Sequence, residues 1–320
     1  MLTSGEVSAV RRASSSAAAC DSSGHVSGGR GVLRQAGSPT RDRAELGRVQ
    51  ARAMLDDLRR TLRARYGTDD ERVLDARWRR ARPIVIQVRF HVLTDGRQGR
   101  LSQARAKRQI ATLNAAYGGK HGGADTGLRF RLKSYDVTRR AAWFDEPQQH
   151  ERPIKQRLRR GGPGTLNLFT ASVGADVLGF STFPQWYRED PGNDGVVVDY
   201  RSVTGGTYPH FDRGYTVVHE VGHWLGLFHT FENGCETPGD GVDDTPFEAW
   251  PAQGCPRRKD TCPQPGSDPV RNFMNYGWDD CMREFTAGQG RRLRAVWAGY
   301  REPRRMKSGR SGARFVGESR

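Results

Sequence analysis

Residues 83–300 predict an α+β domain: a twisted five-stranded sheet backed by two long helices, above a loop-built lower half. Three observations carry this. Five segments of strand length alternate apolar with polar residues or run apolar throughout. Two further segments place apolar residues at helical spacing. Beyond Gly226, glycine, proline, aspartate and cysteine dominate until one last helical pattern near 286–299.

Residues 1–45 are rich in Ser, Gly, Ala and Arg with few large apolar groups, the composition of a disordered segment. Residues 46–66 can form a helix, with Val49, Met54 and Leu58 loosely spaced, and Arg-rich sequence continues to Arg82. Residues 1–82 therefore read as a solvated, propeptide-like leader. The packed domain opens at Pro83. Ile84, Ile86, Val88, Phe90 and Val92 alternate as one face of a strand, and Ala106, Ile110, Leu113 and Tyr117 give a helix over 102–117. Leu128, Phe130 and Leu132 alternate with Arg129, Arg131 and Lys133; TLNLFT (165–170), LGFSTF (178–183) and GVVVDY (195–200) supply three more strands. Val218, Val221 and Leu225 mark a helix over 213–225, and Leu293, Val296 and Trp297 face inward from the last one. Residues 301–320 read as a basic flexible tail.

Composition narrows the function. Of 320 residues, 35% are hydrophobic, low for a fully packed chain, and the formal net charge is +16. Such a charge suits nucleic acid. Here it is scattered, Arg-heavy and thickest near the two ends, with no helix-turn-helix, zinc-finger or RNA-binding signature. A specific nucleic-acid partner is therefore not expected. No run of about 18 apolar residues offers a transmembrane helix. The N-terminus has no apolar core of a signal peptide; Ala-Ala-Ala-Cys at 17–20 faintly resembles a lipoprotein site without one. Of the 5 cysteines, Cys235, Cys255, Cys262 and Cys281 follow the last strand, contain no CxxC pair, and admit three pairings. Bridges there imply an oxidising compartment and hence a secreted protein.

Residues 219–229, HEVGHWLGLFH, hold three of the chain's 8 histidines. On a helix His219 and His223 are an i, i+4 pair on one face, spaced to meet one Zn²⁺. Glu220 lies roughly 100° around the helix, where it reaches a water rather than the metal. Gly226 can end the helix in a left-handed turn and return His229 as third ligand. Three imidazoles with an open position describe a catalytic zinc site, with Glu220 as general base. Zinc proteases with this long motif carry a Met-turn downstream, and NFMNY (272–276) supplies Met274 and Tyr276.

These pieces resemble the metzincin proteases of the pappalysin family, in the branch of small secreted bacterial and fungal members. The match runs HEVGHWLGLFHTFENGC, GDGVDDTP (239–246), GCP (254–256), DTC (260–262), NFMNY, DDCM (279–282) and FTAGQ (285–289), and more loosely upstream to about residue 83. The resemblance implies a metzincin-type catalytic domain: a mixed five-stranded sheet with two long helices above, and a loop-rich lower subdomain with the Met-turn and a C-terminal helix. It implies a zinc endopeptidase acting on extracellular proteins and peptides, with bridges Cys235–Cys262 and Cys255–Cys281, Met274 packed beneath the imidazoles, and Tyr276 donating to the oxyanion. The alternative for Tyr276 is a packed ring with its hydroxyl in water.

Further candidates surround that site. Asp240, Asp243, Asp244 and Thr245 form an oxygen-rich loop suited to Ca²⁺, as the resemblance also implies; otherwise they are a solvated acidic turn. Asp279 and Asp280 follow the Met-turn, where an acid in the S1′ wall would select Arg or Lys after the scissile bond; otherwise they belong to a surface turn. Cys20, the odd cysteine, can reach the open zinc position as a latency switch, although Asp21 follows it where the better-known switch motifs have glycine; otherwise it is a reactive surface thiol or part of a misassigned N-terminus. A monomer is expected. Competing readings are a catalytically silent binding module that keeps its zinc, against which the intact Glu220 argues, and a basic nucleic-acid-binding protein.

Overall fold

Period-two apolar patterning puts Ile86, Val88, Phe90 and Val92 on the buried face of a strand inside the sheet. The computed structural model describes residues 46–78, 83–174 and 177–303, together with a short backbone strand at Val32–Leu33. Strand β1 is that pair. Strand β2 (Ile84–Thr94) runs parallel to β3 (Leu128–Arg139) on one side and to β4 (Thr165–Ala171) on the other. Strand β6 (Val196–Asp199) continues the parallel set beside β4, and β5 (Val177–Ser181) closes it antiparallel. These five strands make the expected mixed sheet. Strand β1 adds a sixth, antiparallel along the outer edge of β5, so the order is β1-β5-β6-β4-β2-β3.

Helix α3 (Gln103–Tyr117) begins where the Ser102 side chain accepts from the Arg105 amide, a standard N-cap. With α6 (Tyr215–Trp224) it covers one face of the sheet, and the main core lies between them: Phe90, Ile110, Leu113, Leu168, Val218 and Trp224 are among its members. The other face is covered by α4 (Ala141–Asp145) and α5 (Glu151–Leu158), through Trp143, Phe144 and Ile154. This second layer was not legible in the sequence, because its two helices are too short to show a period. The lower half is irregular and crossed by two disulfides, Cys235–Cys262 and Cys255–Cys281, with Cα–Cα distances of 5.4 and 5.6 Å. It ends in α7 (Ala287–Val296), which opens with a reciprocal capping box between Thr286 and Gln289, and continues as one π-helical turn at Trp297–Arg301.

The leader departs from expectation. Residues 46–78 are not solvated: they form α1 (Arg48–Tyr66) and α2 (Glu71–Trp78). Ala51, Met54, Leu55, Leu58 and Leu62 recur at helical spacing and are buried; the first three pack with Phe183 and Phe228, the last two with Ala295 and Val296. Val49, expected on that face, is 85% exposed. Arg292 and Arg294 of α7 pair with Glu71 and Asp75 of α2. The arginines that suggested a solvated segment occupy the outer face of a stripe narrow enough to be missed. No helix among the described residues is long and apolar enough to cross a membrane.

Candidate active site

Helix α6 is buried along its whole length, so every side chain on it is committed. His219 and His223 sit one turn apart, each about 1% exposed. The Nδ1–H of His219 donates to the Phe273 carbonyl at 2.7 Å, and that of His223 to the Leu227 carbonyl at 2.8 Å. A carbonyl can only accept, so these bonds leave each Nε2 with a free lone pair. After α6, Gly226 adopts φ +87°, which a residue with a side chain avoids, and turns the chain back to His229. The three Nε2 atoms converge: that of His223 is 3.0 Å from both His219 Nε2 and His229 Nε2. Neighbouring ligands on a tetrahedral zinc with arms near 2.0–2.1 Å lie about 3.3 Å apart. Burial holds the His219 and His223 pKa values well below the usual histidine value, so both are neutral, the form that binds metal. Among the described residues this is the one group of His, Cys, Asp or Glu close enough to hold a metal ion. The donor set fits zinc.

Glu220 is fully buried and its side chain lies against Gly179 of β5. Tyr276 brings its hydroxyl to 3.2 Å from His229 Nε2, beside the convergence point. Met274 is fully buried, its sulfur in the space that a side chain at Gly222 would need, so it packs under α6 between His219 and His223.

The other candidates separate. Asp240 is buried, accepts from the Val242 amide, and is pushed up to about 7 by burial; Thr245 lies beside it. Asp243 faces outward and pairs with Arg72 of α2. Asp244 accepts from Thr286 Oγ1 and the Gly288 amide, both at 2.7 Å, at the start of α7. These carboxylates do not form one cluster. Asp279 is 1% exposed and accepts from the Arg213 amide at 2.8 Å, at the N-terminus of α6. That carboxylate is thus engaged at the start of α6. Burial pushes its pKa up to about 7. Asp280 is partly exposed and pairs with Arg213, with His210 Nδ1 3.5 Å away. Cys20 lies outside the described residues.

Sequence reasoning missed Glu248. Fully buried, it accepts from Thr230 Oγ1 (2.7 Å), from Asn275 Nδ2 (2.8 Å) and from Lys259 Nζ (2.8 Å). It thereby ties the residue after His229 to the residue between Met274 and Tyr276. Its partners lie far apart along the chain, so no local pattern announces it.

The peptidase M43 family model, described as pregnancy-associated plasma protein-A, matches residues 176–298. An extracellular metalloprotease of Arthroderma benhamiae is 38% identical over 227 residues, covering 68% of this chain and 74% of its own. One of Pyricularia oryzae is 39% identical over 224 residues, covering 68% and 76%. Among solved structures, promirolysin of Tannerella forsythia superposes with a TM-score of 0.59 at 25% identity, covering 76% of this chain and 91% of its own. Mature mirolysin with a cleaved peptide gives 0.58 at 24% identity, covering 69% and 96%.

Proposed function

For a chain that belongs to the peptidase M43 family, and is therefore a metalloendopeptidase, we propose that it is a secreted zinc enzyme in which His219, His223 and His229 hold the metal and Glu220 is the general base. The observation that carries this is the convergence of three imidazole Nε2 atoms with the hydroxyl of Tyr276 beside them. Zinc, when bound, supplies a water with a pKa of about 7 and polarises the scissile carbonyl. Glu220 accepts the proton of the attacking water and delivers it to the leaving amine. The Tyr276 hydroxyl donates to the carbonyl oxygen as negative charge develops on it. The outer edge of β5 runs past Glu220 and suits an extended peptide added as an antiparallel strand. Val32–Leu33 takes this edge in the full chain, which supports a leader that competes with substrate. A preference for a basic residue after the cut would rest on Asp279, engaged at the helix terminus, and on Asp280, matched by Arg213.

Glu220→Gln in the purified protein should keep zinc by elemental analysis and lose about 10²–10⁴-fold in peptide hydrolysis. Full activity in this variant would sink the assignment. A calcium ion at Asp240 and Thr245 is the second part of the proposal, supported by a buried carboxylate beside a hydroxyl. It requires that EGTA lower the melting temperature and that Ca²⁺ alone restore it; an unchanged melt in EGTA removes calcium.

A further inference from the structure

Helix α6 ends at Trp224, one residue past the ligand His223, and the chain reaches the turn at Gly226 two residues later. Whatever grips Trp224 grips the joint between two metal ligands. Trp224 is fully buried, and its carbonyl accepts two bonds from one guanidinium: Arg301 Nη2 at 2.9 Å and Nε at 3.2 Å. Arg301 is itself fully buried and comes from the π-helical turn that follows α7. Its Cζ lies 3.9 Å from the Trp224 ring centroid, and its Nη1 donates to Asp194 Oδ1 at 2.8 Å. Asp194, 1% exposed, accepts from the Trp224 indole N–H at 3.1 Å and from Thr182 Oγ1 at 3.1 Å. The side chain of Val296, five residues before Arg301, packs against Gly226. Backbone, indole ring and turn of the joint are thus all held from one short C-terminal segment.

A buried ion pair is a weak source of stability, because desolvation offsets most of its attraction. Its geometric yield here is specific. A positive group at the C-terminus of a helix matches the helix dipole, and a planar two-donor fork fixes the direction of the carbonyl it holds in a way a point charge does not. Resting on the metallopeptidase reading of the site, we propose that Arg301 is a positioning residue: through Trp224 it sets the placement of His223 and His229, so the segment Val296–Arg301 belongs to the metal site although it touches no ligand atom.

Arg301→Met in the full-length protein tests this. The expected variant stays folded by far-ultraviolet circular dichroism. Its affinity for Zn²⁺, measured by chelator competition, falls about 10- to 100-fold. The visible spectrum of the Co²⁺-substituted protein shifts, and kcat falls while KM stays within about twofold. Arg301→Lys keeps the charge opposite Asp194 but loses the fork, and is expected to restore thermal stability without restoring metal affinity. A folded Arg301→Met protein with wild-type Zn²⁺ affinity and Co²⁺ spectrum overturns the proposal. So does full recovery of both by lysine. If Arg301→Met fails to fold, the same readings on Arg301→Lys decide in the same way. Wild-type protein that binds Zn²⁺ yet cleaves no peptide would count against the peptidase reading and leave the metal-affinity comparison intact.

Discussion

Gly179 of β5 lies against the proposed general base, and replacing it with alanine should injure catalysis far more than folding. A Cβ at position 179 would lie 2.8 Å from Glu220 Cγ, 3.0 Å from its Oε1 and 3.0 Å from the Val197 carbonyl oxygen. Ordinary contact begins at 3.4 Å, so the Glu220 methylene must retreat by 0.6 Å (3.4 − 2.8). The Val197 carbonyl belongs to the paired strand β6 and cannot yield as easily. Gly179 is not among the positive-φ glycines, so the alanine backbone itself is unstrained and the effect is steric. Overpacking of this kind costs about 1–3 kcal/mol in stability. Misplacing a reacting group by about 1 Å can cost ~10²-fold in rate, so the shift here should lower kcat by about tenfold or more. KM should change little, because Glu220 acts on the water and not in binding. The assay is hydrolysis of a fluorescence-quenched peptide by protein starting at Leu46, normalised to zinc content. Gly162→Ala, where nothing lies within 4 Å of the added carbon, is the control. A zinc-loaded Gly179→Ala protein with wild-type kcat would refute the placement of Glu220 against β5.

Two further outcomes follow from the packing. Asp279 has its folded-state pKa raised from 3.8 to about 7, so the folded protein binds that proton more tightly than the unfolded chain, and stability should fall as pH rises from about 4 to about 7. Asp279→Asn removes this contribution; in denaturant melts it should gain on wild type across that window, and a pH-independent difference would show that the carboxylate does not titrate there. Protein starting at Leu46 should be soluble and more active than the full chain, whereas protein starting at Pro83 should melt lower and aggregate. The second deletion uncovers Phe183, Phe228 and Val296, each worth about 1.5–3 kcal/mol when fully buried; equal melting temperatures for the two truncations would contradict the packing of α1.

The candidate metal site was legible in the letters because its residues are local. His219, Glu220 and His223 are placed by one helical turn, and Gly226 returns His229 within the next few residues, so spacing alone conveys the geometry. Most strands were legible for the same reason: period-two patterning survives wherever one face is buried. The resemblance supplied what spacing could not, the disulfide pairing and the expected part of Tyr276. Other features depended on what meets what in three dimensions. Asp279 and Asp280 are adjacent letters, yet one is buried at the helix N-terminus and the other lies at the surface with Arg213, because one residue of separation turns a side chain from interior to solvent. The arginine-rich helix α1 looked solvated because its partners Phe183, Phe228 and Val296 lie more than a hundred residues away. Glu248 and Arg301 gave no local signal at all. Each is a charge that is tolerable in the interior only because distant groups meet it there: Lys259 and Asn275 for one, Asp194 and the Trp224 carbonyl for the other. Local periodicity determined the three-histidine cluster and most of the strands, and long-range desolvation, which no window of sequence contains, decided what holds them in place.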